Sequence, residues 1–194
     1  MTTPFPPPPP GGFPTDHEVL DVVDAANQVV GQATRREIHD HGLMHRSVHV
    51  FVVDEGGRLY IQKRAEGKET FPGAHDSSAA GHVNAGEDYR DCAVRELEEE
   101  LGLAPDAAHL VQVGELAASE DTGWEHVRFY VARAAREPVP NPEEVAHGAF
   151  YTLDEVEALI ARPDCVFAPT FRILYFFYAT RLAPRVFSGE LFGA

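Results

Sequence analysis

The chain has 194 residues, 44% of them hydrophobic and 24% charged, which fits one globular domain with a sizeable core. Its 31 acidic against 16 basic residues give a net charge of −15, which argues against a nucleic-acid surface but leaves room for a nucleotide held through a metal. Two cysteines, Cys92 and Cys165, offer no disulfide framework and fit a reducing, cytoplasmic setting, and no apolar run is long enough to span a bilayer.

Residues 1–14, MTTPFPPPPPGGFP, form a low-complexity segment whose prolines favour extended polyproline and bury little surface. We expect a disordered tail over 1–16, a single domain over 17–182 and a C-terminal tail over 183–194. From Glu18, EVLDVVD and VVGQAT read as a short hairpin around Ala25-Ala26-Asn27, and Thr34 is suited to cap a short helix running to Asp40. Ser47–Asp54 and Arg58–Arg64 form the clearest hairpin, turning at Glu55-Gly56-Gly57. Ala74–Ala80 reads as one strand, followed by strands at Leu110–Leu116, Trp124–Ala132 and Gly148–Thr152. Leu153–Ala161 and Ala168–Leu182 read as helices. The aromatics of the latter, Phe171, Tyr175, Phe176, Phe177 and Tyr178, are assigned to the core or to a homodimer surface.

The chemistry concentrates in GHVNAGEDYRDCAVRELEEELGL, Gly81 to Leu103. Successive residues of a helix turn by about 100°, so Glu96, Glu99 and Glu100 share one face beside an apolar stripe of Val94, Leu97 and Leu101, with Glu98 turned to solvent. Carboxylates at i and i+4 repel each other. A solvated acidic surface is one explanation for the cluster; a divalent ion with a preference for oxygen ligands is the other.

Gly81, Glu87 and the run Arg95-Glu96-Leu97-Glu98-Glu99-Glu100-Leu101-Gly102-Leu103 stand in the register of the Nudix signature, and the chain resembles that family. The resemblance implies an α/β fold, a Nudix-type α/β/α sandwich with a mixed sheet. It also implies Mg2+ or Mn2+ as cofactor, held by Gly81, Glu96, Glu99 and Glu100, and cleavage of a diphosphate linkage in a small-molecule substrate, a nucleoside di- or triphosphate or related compound. Glu96, Glu99 and Arg95 form the expected catalytic set, with Arg95 holding the carboxylate rotamers through its planar fork. Glu99 is the first candidate for general base, followed by Glu120 or Glu144. Lys63, Arg64 and Lys68 are the candidates for the substrate phosphates. Glu87 matches a structural position.

From about residue 18 to 180 the chain also resembles the isopentenyl diphosphate isomerase branch of the same superfamily. The isomerases carry an essential cysteine in a stretch that falls here on Ala80-Gly81-His82-Val83, and a methyl group cannot move a proton. Their metal site holds three histidines and two glutamates. His45 and His82 match two of the histidines, the third position falls near Ile38 with His39 beside it, Glu125 matches one glutamate and Gly123 stands where the other would be. With the glutamates of the signature complete and the isomerase set eroded, a hydrolase is expected; an isomerase and a non-catalytic ligand sensor are the alternatives. His49, in a strand pattern, reads as structural.

Overall fold

The computed structural model describes residues 13–104 and 109–193. The expected tail at 1–12 lies outside the described residues. Residues 13–16, expected within that tail, are instead held in place: the Phe13 N–H binds the buried Asp16 carboxylate at 2.9 Å as a 3-10 turn begins at Pro14.

Strands β1 (Val19–Val23) and β2 (Val29–Thr34) pair antiparallel as a separate two-stranded sheet. Helix α1 (Arg35–His41) follows at once, because Thr34 accepts from the Glu37 N–H while the Glu37 carboxylate returns to Thr34, a capping box. The main sheet has seven strands, with the order β5-β4-β3-β8-β7, β6 paired to β3 and β9 paired to β4. Its members are β3 (His45–Val53), β4 (Leu59–Arg64), β5 (His75–Asp76), β6 (Ala79–His82), β7 (Leu110–Leu116), β8 (Glu125–Arg133) and β9 (Val145–Tyr151). β3 and β8 run parallel; the other pairs are antiparallel.

Alternation along the central strands builds two cores. Phe51, Val53, Val127, Phe129 and Val131 face one way, against α3 (Leu153–Ile160), α4 (Pro169–Phe177) and α5 (Ala183–Phe187). Val48, Val50, Val52, Tyr130 and Ala132 face the other way, against α2 (Tyr89–Leu101). The result is helix–sheet–helix, the expected sandwich.

Three local expectations change. The β3–β4 hairpin pairs only where Val53 meets Leu59, because beyond the turn the strands part and take different partners, β6 on β3 and β9 on β4. Ser78 spans the split: its hydroxyl accepts from the Val52 N–H at 2.7 Å and donates to the Tyr60 carbonyl at 2.5 Å. The expected strand 74–80 consequently breaks in two at Ser77-Ser78. Residues 183–192, expected as a tail, instead continue from α4 through a π-type turn (Tyr178–Leu182) into α5 and a final 3-10 turn, with Ala183, Val186 and Leu191 in the first core. Among the helix aromatics Phe171, Tyr175 and Tyr178 are buried, whereas Phe176 is 71% exposed.

Because Leu191 completes this core, Leu191→Ala is expected to lower unfolding free energy by about 2 kcal/mol. Urea denaturation checks it; a loss within about 0.5 kcal/mol is what an ordinary surface position would give.

Candidate functional site

Helix α2 starts where the Asp88 side chain accepts from the Arg90 N–H, and ends at Gly102, in the left-handed region at φ 61. There the Gly102 and Leu103 N–H groups return to Glu98 and Leu97, closing the last turn. Cys92, Ala93, Leu97 and Leu101 anchor the helix in the second core. One stripe over, Glu96 and Glu100 are buried, only 8% and 2% exposed, with Glu99 at the rim, its side chain 56% exposed. The three signature glutamates thus divide into two enclosed carboxylates and one wet one.

Glu100 accepts from Gln62 Nε2 at 2.9 Å and from the Ala80 N–H at 3.3 Å. Glu96 lies against the backbone of Gly81: a Cβ at position 81 would sit 2.0 Å from Glu96 Oε1, so only glycine admits this approach. Arg95 organises the arc. It clamps both oxygens of Glu87 at 2.9 and 3.0 Å, reaches Glu96 at 2.6 Å and Glu99 at 3.1 Å, and donates to the His82 carbonyl at 3.1 Å. Arg95 therefore positions the carboxylates, and Glu87 positions Arg95.

Burial pushes the Glu96 and Glu100 carboxyls above their ordinary range, with repulsion from Glu99 adding to it at Glu96 and repulsion from Glu96 at Glu100. Arg95 is shared with Glu87 and Glu99, and the more distant Lys68 and Arg64 are paired with Glu144 and Asp76, so the two enclosed carboxylates are short of positive charge. Together with the cradle at Gly81, this all-oxygen donor set fits a divalent cation of the Mg2+ or Mn2+ type.

The carboxylates line a cavity of about 310 Å3 that also takes in Arg64, Lys68, Glu144 and Thr170. Arg64 is buried and paired with Asp76 at 3.1 Å; Lys68 pairs with Glu144. Lys63 does not line the cavity. Strand alternation puts it on the opposite face of β4 from Gln62 and Arg64, so it drops from the phosphate candidates. Arg35, which sequence reasoning missed, takes its place: it is buried, lines the cavity and pairs with Glu18 at 3.3 Å and Glu69 at 3.5 Å. No spacing rule marks an arginine in the first turn of a short polar helix as a cavity residue. Among the base candidates Glu99 and Glu144 line the cavity; Glu120, on an exposed 3-10 turn, does not.

His39, His45 and His82 present ring nitrogens within 4.8 Å of one another. Glu125 Oε1 lies 3.3 Å from His82 Nε2 and 3.8 Å from His45 Nε2. This corrects the expectation at Ile38. Ile38 is fully buried, and the next residue on the helix, His39, supplies the third imidazole. Burial lowers the His39 pKa to about 4, helped by the charge of His45, and lowers that of His82 to about 3 against the opposing pull of Glu125. Burial would raise Glu125, but its hydrogen bond with His82 carries it well below the usual carboxylate range. His39 and His82 are thereby favoured in the neutral form that ligates metal, and the Nε2 atoms of His39 and His45 are buried without a hydrogen-bond partner. Gly123 remains a glycine in a left-handed turn, so the second isomerase carboxylate is missing there.

His49, expected to be structural, has its Nδ1 2.8 Å from Ser77 Oγ and also lines the cavity. Ala80 lines the cavity; among the described residues neither Cys92 nor Cys165 does. The Cys92 thiol is buried and bonded to the His82 carbonyl, and burial pushes its pKa far up.

The NUDIX domain family model matches residues 43–169. The chain is 39% identical to an uncharacterised Nudix hydrolase of Streptomyces coelicolor over 151 residues, covering 77% of this chain and 82% of that protein. It is 36% identical to an isopentenyl-diphosphate Delta-isomerase of Streptomyces griseus over 145 residues, covering 71% and 73%. In three dimensions it resembles a Deinococcus radiodurans protein solved by crystallography, with a TM-score of 0.73 and 28% identity, covering 83% of this chain and 99% of that one. With the signature helix, the sandwich and these relatives in agreement, the chain belongs to the Nudix family and is a Nudix hydrolase.

Proposed function

We propose that this protein hydrolyses the diphosphate linkage of a nucleoside di- or triphosphate or a related compound, with Mg2+ or Mn2+ held by Glu96, Glu100 and Glu99. The observation that carries this is the enclosed pair Glu96 and Glu100, packed on the Gly81 backbone, in one cavity with Arg64 and Lys68. A bound divalent cation would supply charge for the non-bridging oxygens and acidify water. Arg64, fixed by Asp76, and Lys68, which can leave Glu144 for a more highly charged anion, hold the phosphates; Arg35 stands ready on the α1 side. Glu99, wet and aligned by Arg95, takes the proton from the attacking water, and Glu144 is the alternative base. Positioning and charge do most of the work in such a reaction.

The three-histidine cluster supports a second ion. We propose that His39, His45 and His82 with Glu125 hold a transition metal such as Zn2+ or Mn2+, which a nitrogen-rich set favours over Mg2+. The isomerase alternative lacks its thiol at Ala80.

Glu100→Gln is expected to lower turnover at least about a hundred-fold while retaining the fold, since it removes a charged ligand oxygen; steady-state phosphate release measures it. Without metal, the same variant is expected to be the more stable protein at pH 8. The raised carboxyl of Glu100 favours folding when protonated, and that contribution is lost as pH rises through its folded pKa. The gap between variant and wild type therefore closes as pH falls toward the ordinary value of 4.5, as melting scans across pH would record. Isopentenyl diphosphate is expected to yield no dimethylallyl diphosphate, and detection of the allylic product would restore the isomerase. For the second ion, His82→Ala is expected to release about one equivalent of tightly held metal in elemental analysis; unchanged content would refute the histidine site.

A further inference from the structure

Helix α4 begins without a cap. Pro169 is its first residue, Ala168 before it has no side chain that could accept a hydrogen bond, and no acidic residue stands in the first turn. The leading N–H groups of a helix have no partner inside it, and they carry the positive end of its macrodipole. Among the described residues no backbone carbonyl accepts from the Thr170 or Phe171 N–H. This uncapped end opens on the cavity, whose lining includes Ala168, Pro169 and Thr170.

Side chains add to this. Thr170 is 9% exposed and lines the cavity, yet its hydroxyl binds no other described residue. Ser47, 2% exposed and also on the lining, has an Oγ without a hydrogen-bond partner. An enclosed hydroxyl left unpaired costs free energy, and a hydrogen-bonding ligand removes that cost where an apolar chain does not. Positive charge stands at the same end of the cavity. The Ala168 N–H donates to the His75 carbonyl at 2.9 Å, which fixes the start of α4 against β5. The next residue of β5, Asp76, holds Arg64 at 3.1 Å and accepts from the Ser77 N–H at 2.7 Å, so its own charge is compensated. Arg64 also lies near enough to Glu100 for its charge to pull that carboxyl down, which puts the guanidinium between the oxygen donors of α2 and the start of α4.

We propose that the start of α4 is an anion subsite, in which the Thr170 hydroxyl and the leading N–H groups of α4, with Arg64, hold the substrate phosphate that lies away from the metal-binding carboxylates. It rests on the diphosphate reading above for the identity of the anion. None of its groups is a metal ligand, so it binds an anion with the divalent ion removed. Calorimetric titration of the full chain with pyrophosphate in excess EDTA tests this. Wild type is expected to bind under these conditions. Thr170→Val, which keeps the shape and loses the hydroxyl, is expected to weaken pyrophosphate about ten-fold, and Thr170→Ser to stay within about two-fold of wild type. Thr170→Asp is expected to weaken it about a hundred-fold, because its own carboxylate takes the positive end of the helix. Melting temperatures of Thr170→Val and Thr170→Ser are expected within about 3 °C of wild type. No binding to the metal-free wild type up to about 10 mM pyrophosphate, or wild-type affinity in both Thr170→Val and Thr170→Asp, would overturn the proposal. Nucleotide hydrolysis with metal is read separately. Pyrophosphate binding that depends on Thr170, without turnover of any nucleotide, would uphold the subsite and sink the hydrolase; turnover with an unchanged KM in Thr170→Asp would do the reverse.

Discussion

The enclosure of two like charges is the constraint on which the site depends. Glu96 and Glu100 sit one turn apart on α2 with their carboxylates largely out of water. Such a pair repels itself and costs solvation. The surroundings offset part of this cost. Gln62 and the Ala80 N–H bind Glu100, Arg95 binds Glu96, and Lys68 adds a weaker field. Arg95 in turn depends on Glu87, so the signature works as one charge-linked unit, and the remaining deficit of positive charge is what a divalent cation would fill.

The sheet makes room for that unit by opening. β3 and β4 meet at Val53 and Leu59 and then separate, so β6 lies on β3 while the polar face of β4 turns Gln62 to Glu100 and Arg64 toward the cavity. Ser78 satisfies the backbone groups of both strands at the split, which a continuous ladder would otherwise pair. The same stretch, from Asp76 to His82, therefore supplies the partner of Arg64, the bridge between strands, the N–H on Glu100, the glycine under Glu96 and one histidine of the second cluster.

Two donor sets consequently adjoin one cavity, the nitrogen set reaching it through His82 and Glu125. The oxygen set of α2 suits hydrolysis of a diphosphate; the nitrogen set of His39, His45 and His82 resembles the isomerase branch, without its thiol and with one carboxylate fewer. A histidine set with Ala80 in place of a thiol offers donors for a metal and lacks a group that could protonate carbon.

Sequence alone determined what depends on neighbours along the chain. The nine-residue run from Arg95 to Leu103 placed its glutamates on a helix because helical periodicity is local; Thr34 announced the cap of a short helix, and Leu110–Leu116 read as a strand. Tertiary structure decided what depends on distant segments. The choice of His39 over Ile38 turns on how α1 docks against β3 and β6, and the different exposures of Glu99 and Glu100 on what covers each. Lys63 and Arg64 are adjacent in the chain, yet the pleat sends only Arg64 to the cavity. Leu191 belongs to the core because helix continues past Leu182 to Phe187 and the chain turns at Gly189, φ 79, a course decided by what the segment packs against. Charge partners behave in the same way: Lys68 meets Glu144 across 76 residues, and such pairings exist only once the loops that carry them have been brought together by the fold.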